Sequence, residues 1–178
     1  MAVRASGFTL LEFLVSIAVV ALLLSIGVPS LVGALERVRL HGAFSALTVS
    51  LANARLAAVS RGVAVTVCPS QDGRQCRKDL VWDTGWIVFI DRARNGVPPG
   101  ADAVLERATP DLSGISVRST AGRHLLRYQP SGYSPGSNVT LRICRAADQR
   151  ELGRVVVNNG GRARSERPTR LQPCVPEP

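Results

Sequence analysis

A lone carboxylate, Glu12, stands at the head of an uncharged apolar run from Phe13 to Leu35. An ionised carboxylate within a bilayer costs about 2.5–3.5 kcal/mol even on lenient insertion scales, so it needs a partner or a task. At the other end of the chain, Gly161-Arg162-Ala163-Arg164 follows the apolar segment 155–157 and the pair Asn158-Asn159. Guanidinium grips phosphate bidentately and keeps its charge at every relevant pH. Alternate spacing in an extended segment puts Arg162 and Arg164 on one side, and Gly160 and Gly161 let the backbone approach a phosphate closely. Arg154, Arg167 and Arg170 extend this track. Between these ends lie four cysteines, Cys68, Cys76, Cys144 and Cys174, all beyond the apolar run.

The chemistry excluded is as informative. No P-loop, H-E-x-x-H or G-x-S-x-G occurs, and neither His41 nor His124 has a nearby Cys or carboxylate pattern. No enzyme, cofactor or metal site is expected. An even cysteine count on an exported side favours disulfides. Three pairings are possible; proximity favours Cys68–Cys76, which leaves Cys144–Cys174. Residues 91–96 (Asp-Arg-Ala-Arg-Asn-Gly) half-match a calcium loop. Ala93 and Asp102 replace two ligands that such a loop requires, so a turn is the better reading. Trp82, Trp86 and Phe89 read as core.

The net charge of +9 is carried almost entirely by arginine, with Lys78 the single lysine. Residues 118–170 hold eleven arginines against Asp148, Glu151 and Glu166. Such a basic end implies an anionic partner such as nucleic acid or acidic lipid.

These residues must be positioned by a few elements. Residues 8–29 are long enough to span a bilayer as helix, which needs roughly 20 apolar residues. Pro29, preceded by Gly27-Val28, predicts a kink or break. Leu40, Phe44, Leu47, Leu51, Ala54 and Ala58 then recur three and four apart, an amphipathic stripe that ends near Arg61-Gly62. Arg39, Asn53, Arg55 and Arg61 fall mostly off it. Seven short β-rich runs follow, at 63–68, 85–90, 105–107, 115–118, 124–128, 139–144 and 152–157. One helix followed by strands indicates an α+β fold with mainly antiparallel sheets. From Asn158 apolar residues are sparse and prolines frequent, so residues 158–178 read as an irregular arginine-rich tail stapled by Cys174.

Gly7-Phe8-Thr9-Leu10-Leu11-Glu12 and the apolar run resemble the processing site of type IV prepilins and type II secretion pseudopilins. Val67-Cys68-Pro69-Ser70-Gln71-Asp72-Gly73, Cys76 and residues 83–89 (Asp-Thr-Gly-Trp-Ile-Val-Phe) resemble the minor pilins of the GspH/FimT group over nearly the whole chain. The resemblance implies a leader of residues 1–7, cut after Gly7 by a prepilin peptidase that methylates Phe8. It implies a filament-core helix at 8–29, an amphipathic half at 30–61 and a β-rich periplasmic head at 62–157. Glu12 would pair with the Phe8 amine of a neighbouring pilin during assembly. Some pilus members bind DNA in natural transformation through a C-terminal Gly-Arg-x-Arg, which Gly161, Arg162 and Arg164 match. The expectation is a minor type IV pilin, a single-pass inner-membrane protein before assembly, whose head binds double-stranded DNA without sequence preference. The alternatives are a pseudopilin at the tip of a type II secretion filament, or a ligand-free assembly initiator. Arg4 against Arg37 and Arg39 leaves topology open by charge; the cysteines and the family pattern favour the head outside.

Overall fold

In the computed structural model, which describes residues 9–168 and Cys174, the first element is α1, Leu10–Arg61. Thr9-Leu10-Leu11-Glu12 is a capping box at its start. The Glu12 amide donates to Thr9 Oγ1 (3.3 Å) and the Thr9 amide to a Glu12 carboxylate oxygen (3.4 Å), which satisfies two N–H groups that the first turn leaves open. The first part of α1 exposes its apolar side chains all round and is the one described helix long and apolar enough to cross a membrane. A lipid-embedded helix has this character, with every backbone group bonded within itself.

Of the kink or break expected at Pro29, the break does not occur, because α1 runs through it without interruption. Only one ladder bond is forfeited at a proline. The helical residues on both sides hold the turn, and the Ser30 hydroxyl donates to the Gly27 carbonyl (3.0 Å).

Residues 39–178 form a compact unit with its own core and both disulfides. Ala43, Leu47, Leu51, Ala54 and Ala58 of α1 are buried, with Leu40 and Phe44 packed partly against them. The stripe read from spacing is therefore the buried face. It covers two four-stranded antiparallel sheets. The first has the order β3-β2-β1-β5, from β1 (Val65–Pro69), β2 (Trp86–Ile90), β3 (Val104–Ala108) and β5 (Leu126–Tyr128). The second has the order β4-β6-β7-β8, from β4 (Ile115–Ser119), β6 (Val139–Arg145), β7 (Glu151–Val157) and β8 (Ala163–Glu166).

Burial explains the patterns. Every residue of β1 and β2 is buried, as continuous apolar runs require when both faces are covered. One face meets the main core; the other meets a smaller cluster of Cys68, Ile87 and Phe89 under Cys76, Val104 and Leu125. Trp82 and Trp86 are core residues, their rings 6.4 Å apart. In β6 and β7 burial alternates, so Leu141, Ile143, Val155 and Val157 face the core while Arg142 and Arg154 face outward.

The tail read as irregular begins with a strand. β8 pairs with β7 in the register Arg154↔Glu166, Val155↔Ser165, Val156↔Arg164, Val157↔Ala163. Arg164, Ser165 and Glu166 are exposed, so main-chain bonds rather than side-chain burial hold the strand.

Candidate functional site

The β7–β8 hairpin turns through residues 158–162 and is locked to a second turn at 129–133. The Gly161 amide donates to the Asn158 carbonyl (2.8 Å), the Gln129 amide to the Tyr133 carbonyl (2.8 Å), and the Ser134 amide to the Asn159 carbonyl (2.8 Å). Gly161 is buried with φ +71, and a Cβ there would run into the Gly132 carbonyl and approach Tyr128 at 3.1 Å. Only glycine fits such a position. Gly161 is thus required for the seating of one turn on the other, a role its reading as a phosphate-approach residue did not include.

The same Gly132 carbonyl accepts a hydrogen bond from Arg55 Nε (3.0 Å) of α1. Arg55 is thereby brought to Arg162 and Arg164. The three guanidiniums line one groove of about 320 Å³, together with Tyr133, Asn158 and Gly160. No carboxylate among the described residues lines it. Among the described residues, neither Arg162 nor Arg164 makes an ion pair or side-chain hydrogen bond. Both are exposed. Arginines left without an internal acceptor and held on a rigid turn are suited to an incoming oxyanion.

A second groove of about 540 Å³ adjoins the first and is mostly apolar. Leu51, Ala52, Leu56 and Val59 of α1 form one wall, and Tyr128 and Ala163 lie opposite; Arg55 and Arg162 line both grooves. The Tyr128 hydroxyl is buried without a partner among the described residues. Burial pushes its phenol well above the ordinary value, against the opposing pull of the Arg55 charge.

Of the remaining residues proposed for the arginine track, Arg154 does not line this groove. Its Nε donates to Glu151 (2.7 Å), whose side chain is fully buried beside a register shift between Ile143 and Cys144. Arg154 compensates that buried carboxylate. Arg167 lines a separate groove of about 370 Å³ with His41, Phe44 and Glu166. Arg170, Gly7 and Phe8 lie outside the described residues. Sequence reasoning missed Arg55, because an arginine off a helix stripe looks solvated and nothing local ties it to a turn more than 70 residues away.

The other constellations are structural. Cys68 bridges Cys76 (Cα–Cα 5.5 Å) and Cys144 bridges Cys174 (Cα–Cα 6.1 Å). The Cys174 amide also donates to the Gln149 carbonyl (2.8 Å), which fixes this residue against the β6–β7 turn. The Asp91 carboxylate is buried and accepts from Thr66 Oγ1 (2.8 Å), Arg127 Nε (3.0 Å) and the Asn95 and Gly96 amides (3.1 Å each). It closes a turn and tethers β5, with its acceptor capacity taken up by protein donors. Arg107 donates to the Gly73 carbonyl (2.9 Å) and reaches toward Ala101, so it is a loop brace.

Residues 43–161 match the family described as Type II transport protein GspH, and residues 3–28 match the prokaryotic N-terminal methylation motif. No curated protein matches the sequence. Among solved structures, the type IV minor pilin FimU of Pseudomonas aeruginosa is similar with a TM-score of 0.62 at 20% identity, covering 79% of this chain and 98% of that one. A second crystal form of FimU gives 0.57 at 19% identity, covering 76% and 99%. The minor pseudopilin EpsH of Vibrio cholerae gives 0.48 at 17% identity, covering 72% and 96%.

Proposed function

The chain belongs to the GspH family of type II transport proteins, and from that membership we propose that it is a minor pilin whose head binds DNA through Arg162, Arg164 and Arg55. That it is a minor pilin or pseudopilin, of a type IV pilus or a type II secretion filament, follows from the family and its methylation motif. The DNA reading rests on one observation above all. Three guanidiniums line a single groove that no carboxylate among the described residues enters. Arginines of this kind contact phosphate oxygens and carry no base information, so binding is sequence-tolerant and falls with salt. The use of such binding is DNA uptake during natural transformation.

The test uses a head fragment beginning at residue 30, mixed with duplex DNA of several sequences. Log affinity should fall against log salt by about 0.9 per phosphate contact. Arg162→Gln with Arg164→Gln should weaken binding on every sequence alike and flatten that slope by about two units. Arg92→Gln, an exposed arginine on the β2–β3 loop, serves as the control and should do little; Arg107, a brace, is unsuited to that role. Equal binding by the double variant and the wild type would move the site elsewhere.

The family membership equally favours a second reading, a pseudopilin at the tip of a type II secretion filament, and a head that retards no DNA at low salt would select it. In both readings the chain is a substrate of a prepilin peptidase, which cuts after Gly7 and methylates Phe8. It waits as a single-pass inner-membrane protein with a periplasmic head, then joins other pilins. Gly7→Leu should accumulate the uncleaved form on immunoblots. For Glu12 the capping box supplies a sharper variant than alanine. Glu12→Gln keeps a side chain that can cap the Thr9 amide but removes the charge. If Glu12 pairs with a neighbour's Phe8 amine, Glu12→Gln should be processed yet absent from sheared filaments. Normal assembly of this variant would assign Glu12 to helix capping alone.

A further inference from the structure

We propose that the apolar groove beside the arginines takes one unstacked nucleotide base, so that the head prefers single-stranded to duplex DNA; this rests on the DNA reading above. The two grooves share Arg55 and Arg162, so a phosphate held by these guanidiniums lies at the mouth of the apolar one. A base has two apolar π-faces and a polar edge. The walls offer the matching surfaces: Leu51, Ala52, Leu56 and Val59 along the helix, with Tyr128 across from them. At about 540 Å³ the groove is within the size range of small-molecule sites.

Two further observations point to an occupant with a polar edge. The Tyr128 side chain is fully buried, yet its hydroxyl has no partner among the described residues. A buried hydroxyl is ordinarily bonded, and a phenol held protonated by burial is a ready donor to a ring nitrogen or exocyclic oxygen. At the rim of the arginine groove, Tyr133 is 59% exposed and offers a stacking face to the next base. An aliphatic side chain from a neighbouring pilin would fill the apolar walls but leave Tyr128 unsatisfied and the guanidiniums without an anion. Bases in duplex DNA are paired and stacked and cannot enter; their phosphates still reach the arginines. Hence the preference for a single strand.

The experiment compares a short oligothymidylate with a duplex of equal phosphate content, binding to the full chain in phosphatidylcholine nanodiscs at low salt. The single strand should bind about tenfold tighter, within the range that one stacked base supplies. Ala52→Trp, an exposed helix position whose larger side chain fills the groove, should abolish that preference and leave duplex affinity unchanged. Tyr128→Phe removes only a hydroxyl that bonds nothing internally, and should weaken single-strand binding severalfold with no effect on duplex. Equal affinities for the two DNAs in the wild type overturn the inference, as does an Ala52→Trp that lowers both or neither. In those cases duplex binding persists and the DNA reading stands. Loss of filament incorporation by Ala52→Trp with DNA preference intact assigns the groove to a neighbouring subunit and also overturns it. No binding to either DNA removes both readings together.

Discussion

At the disulfide-loop end of the head, guanidiniums meet protein oxygens. Arg77 pairs with Asp79, Arg118 with Asp83, Arg127 with Asp91, and Arg107 bonds the Gly73 carbonyl. At the β7–β8 turn, Arg162 and Arg164 meet none among the described residues. Both ends are arginine-bearing loops closed by turns, but only the first carries a disulfide; the second bridge, Cys144–Cys174, lies at the opposite end of β7, by the β6–β7 turn. The difference is where the carboxylates stand. Three of the acids, at 79, 83 and 91, fall in or near the loops around β1 and β2 and convert arginines there into braces, while Asp72 caps backbone amides of its own loop. The excess of arginine in residues 118–170 leaves the far end with cations facing outward. Arg118, Arg127, Arg145 and Arg154 of that stretch are also held by carboxylates, so what is left facing outward at the β7–β8 turn, without an internal acceptor among the described residues, is the pair Arg162 and Arg164.

The comparison is sharpened most by removing each disulfide in turn. Cys144–Cys174 closes 30 residues and Cys68–Cys76 closes 8. Chain entropy predicts losses of about 3–4 kcal/mol for the first and about 2–3 kcal/mol for the second. Urea unfolding of the Cys144→Ala/Cys174→Ala and Cys68→Ala/Cys76→Ala heads should rank them in that order. The reverse ranking would mean that the short loop, and not the second sheet, governs the stability of the head.

A smaller effect separates arginines within the second sheet. Arg154→Gln leaves the buried Glu151 uncompensated and should cost about 3 kcal/mol. Arg162→Gln, at an exposed turn, should stay within about 0.5 kcal/mol. DNA binding should respond the other way, weakened by the second and unchanged by the first wherever the head is folded. If Arg154→Gln leaves the melting midpoint unchanged, its ion pair contributes no stability and Arg154 returns as a candidate contact.

The smallest effect is acid loosening of the disulfide loop. The Arg77 hydrogen bonds hold the Asp79 carboxyl below its usual range, and the Gln75 and Arg74 amides do the same for Asp72. Groups depressed on folding stabilise fully above their unfolded value, 3.8, and lose that contribution as pH falls through the folded one. Amide protection at 70–79 should therefore weaken between roughly pH 4 and 2, whereas protection at 158–161 should not follow the same titration. Parallel loss in both segments would point to global acid unfolding.

Seven strands, the buried helix stripe and the arginine pair at 162 and 164 were legible in the sequence, because periodicity and β-branched runs report local environment directly. What was not legible was produced by contacts distant in the chain. Residues 163–166, Ala-Arg-Ser-Glu, have no apolar alternation, so nothing local announces β8. Arg55 joins the site only because the Gly132 carbonyl lies within reach. Arg154 faces outward as its parity demands, yet a register shift beside Glu151 gives it a buried partner. At Pro29 the expectation of a kink or break is met by no break, since losing one helix bond does not end a helix of 52 residues.

β8 has a consequence for how this surface changes over generations. Its place is set by main-chain bonds to β7, which are indifferent to residue identity, and three of its four side chains point into solvent. Substitutions there meet almost no resistance from folding. The lettering of the strand is open to rewriting, and a duplicated gene starting from this scaffold needs few steps to exchange a basic face for a neutral or acidic one. The two interlocked turns around Gly132 and Gly161 leave no room for such exchange, since a Cβ at Gly161 would meet the Gly132 carbonyl.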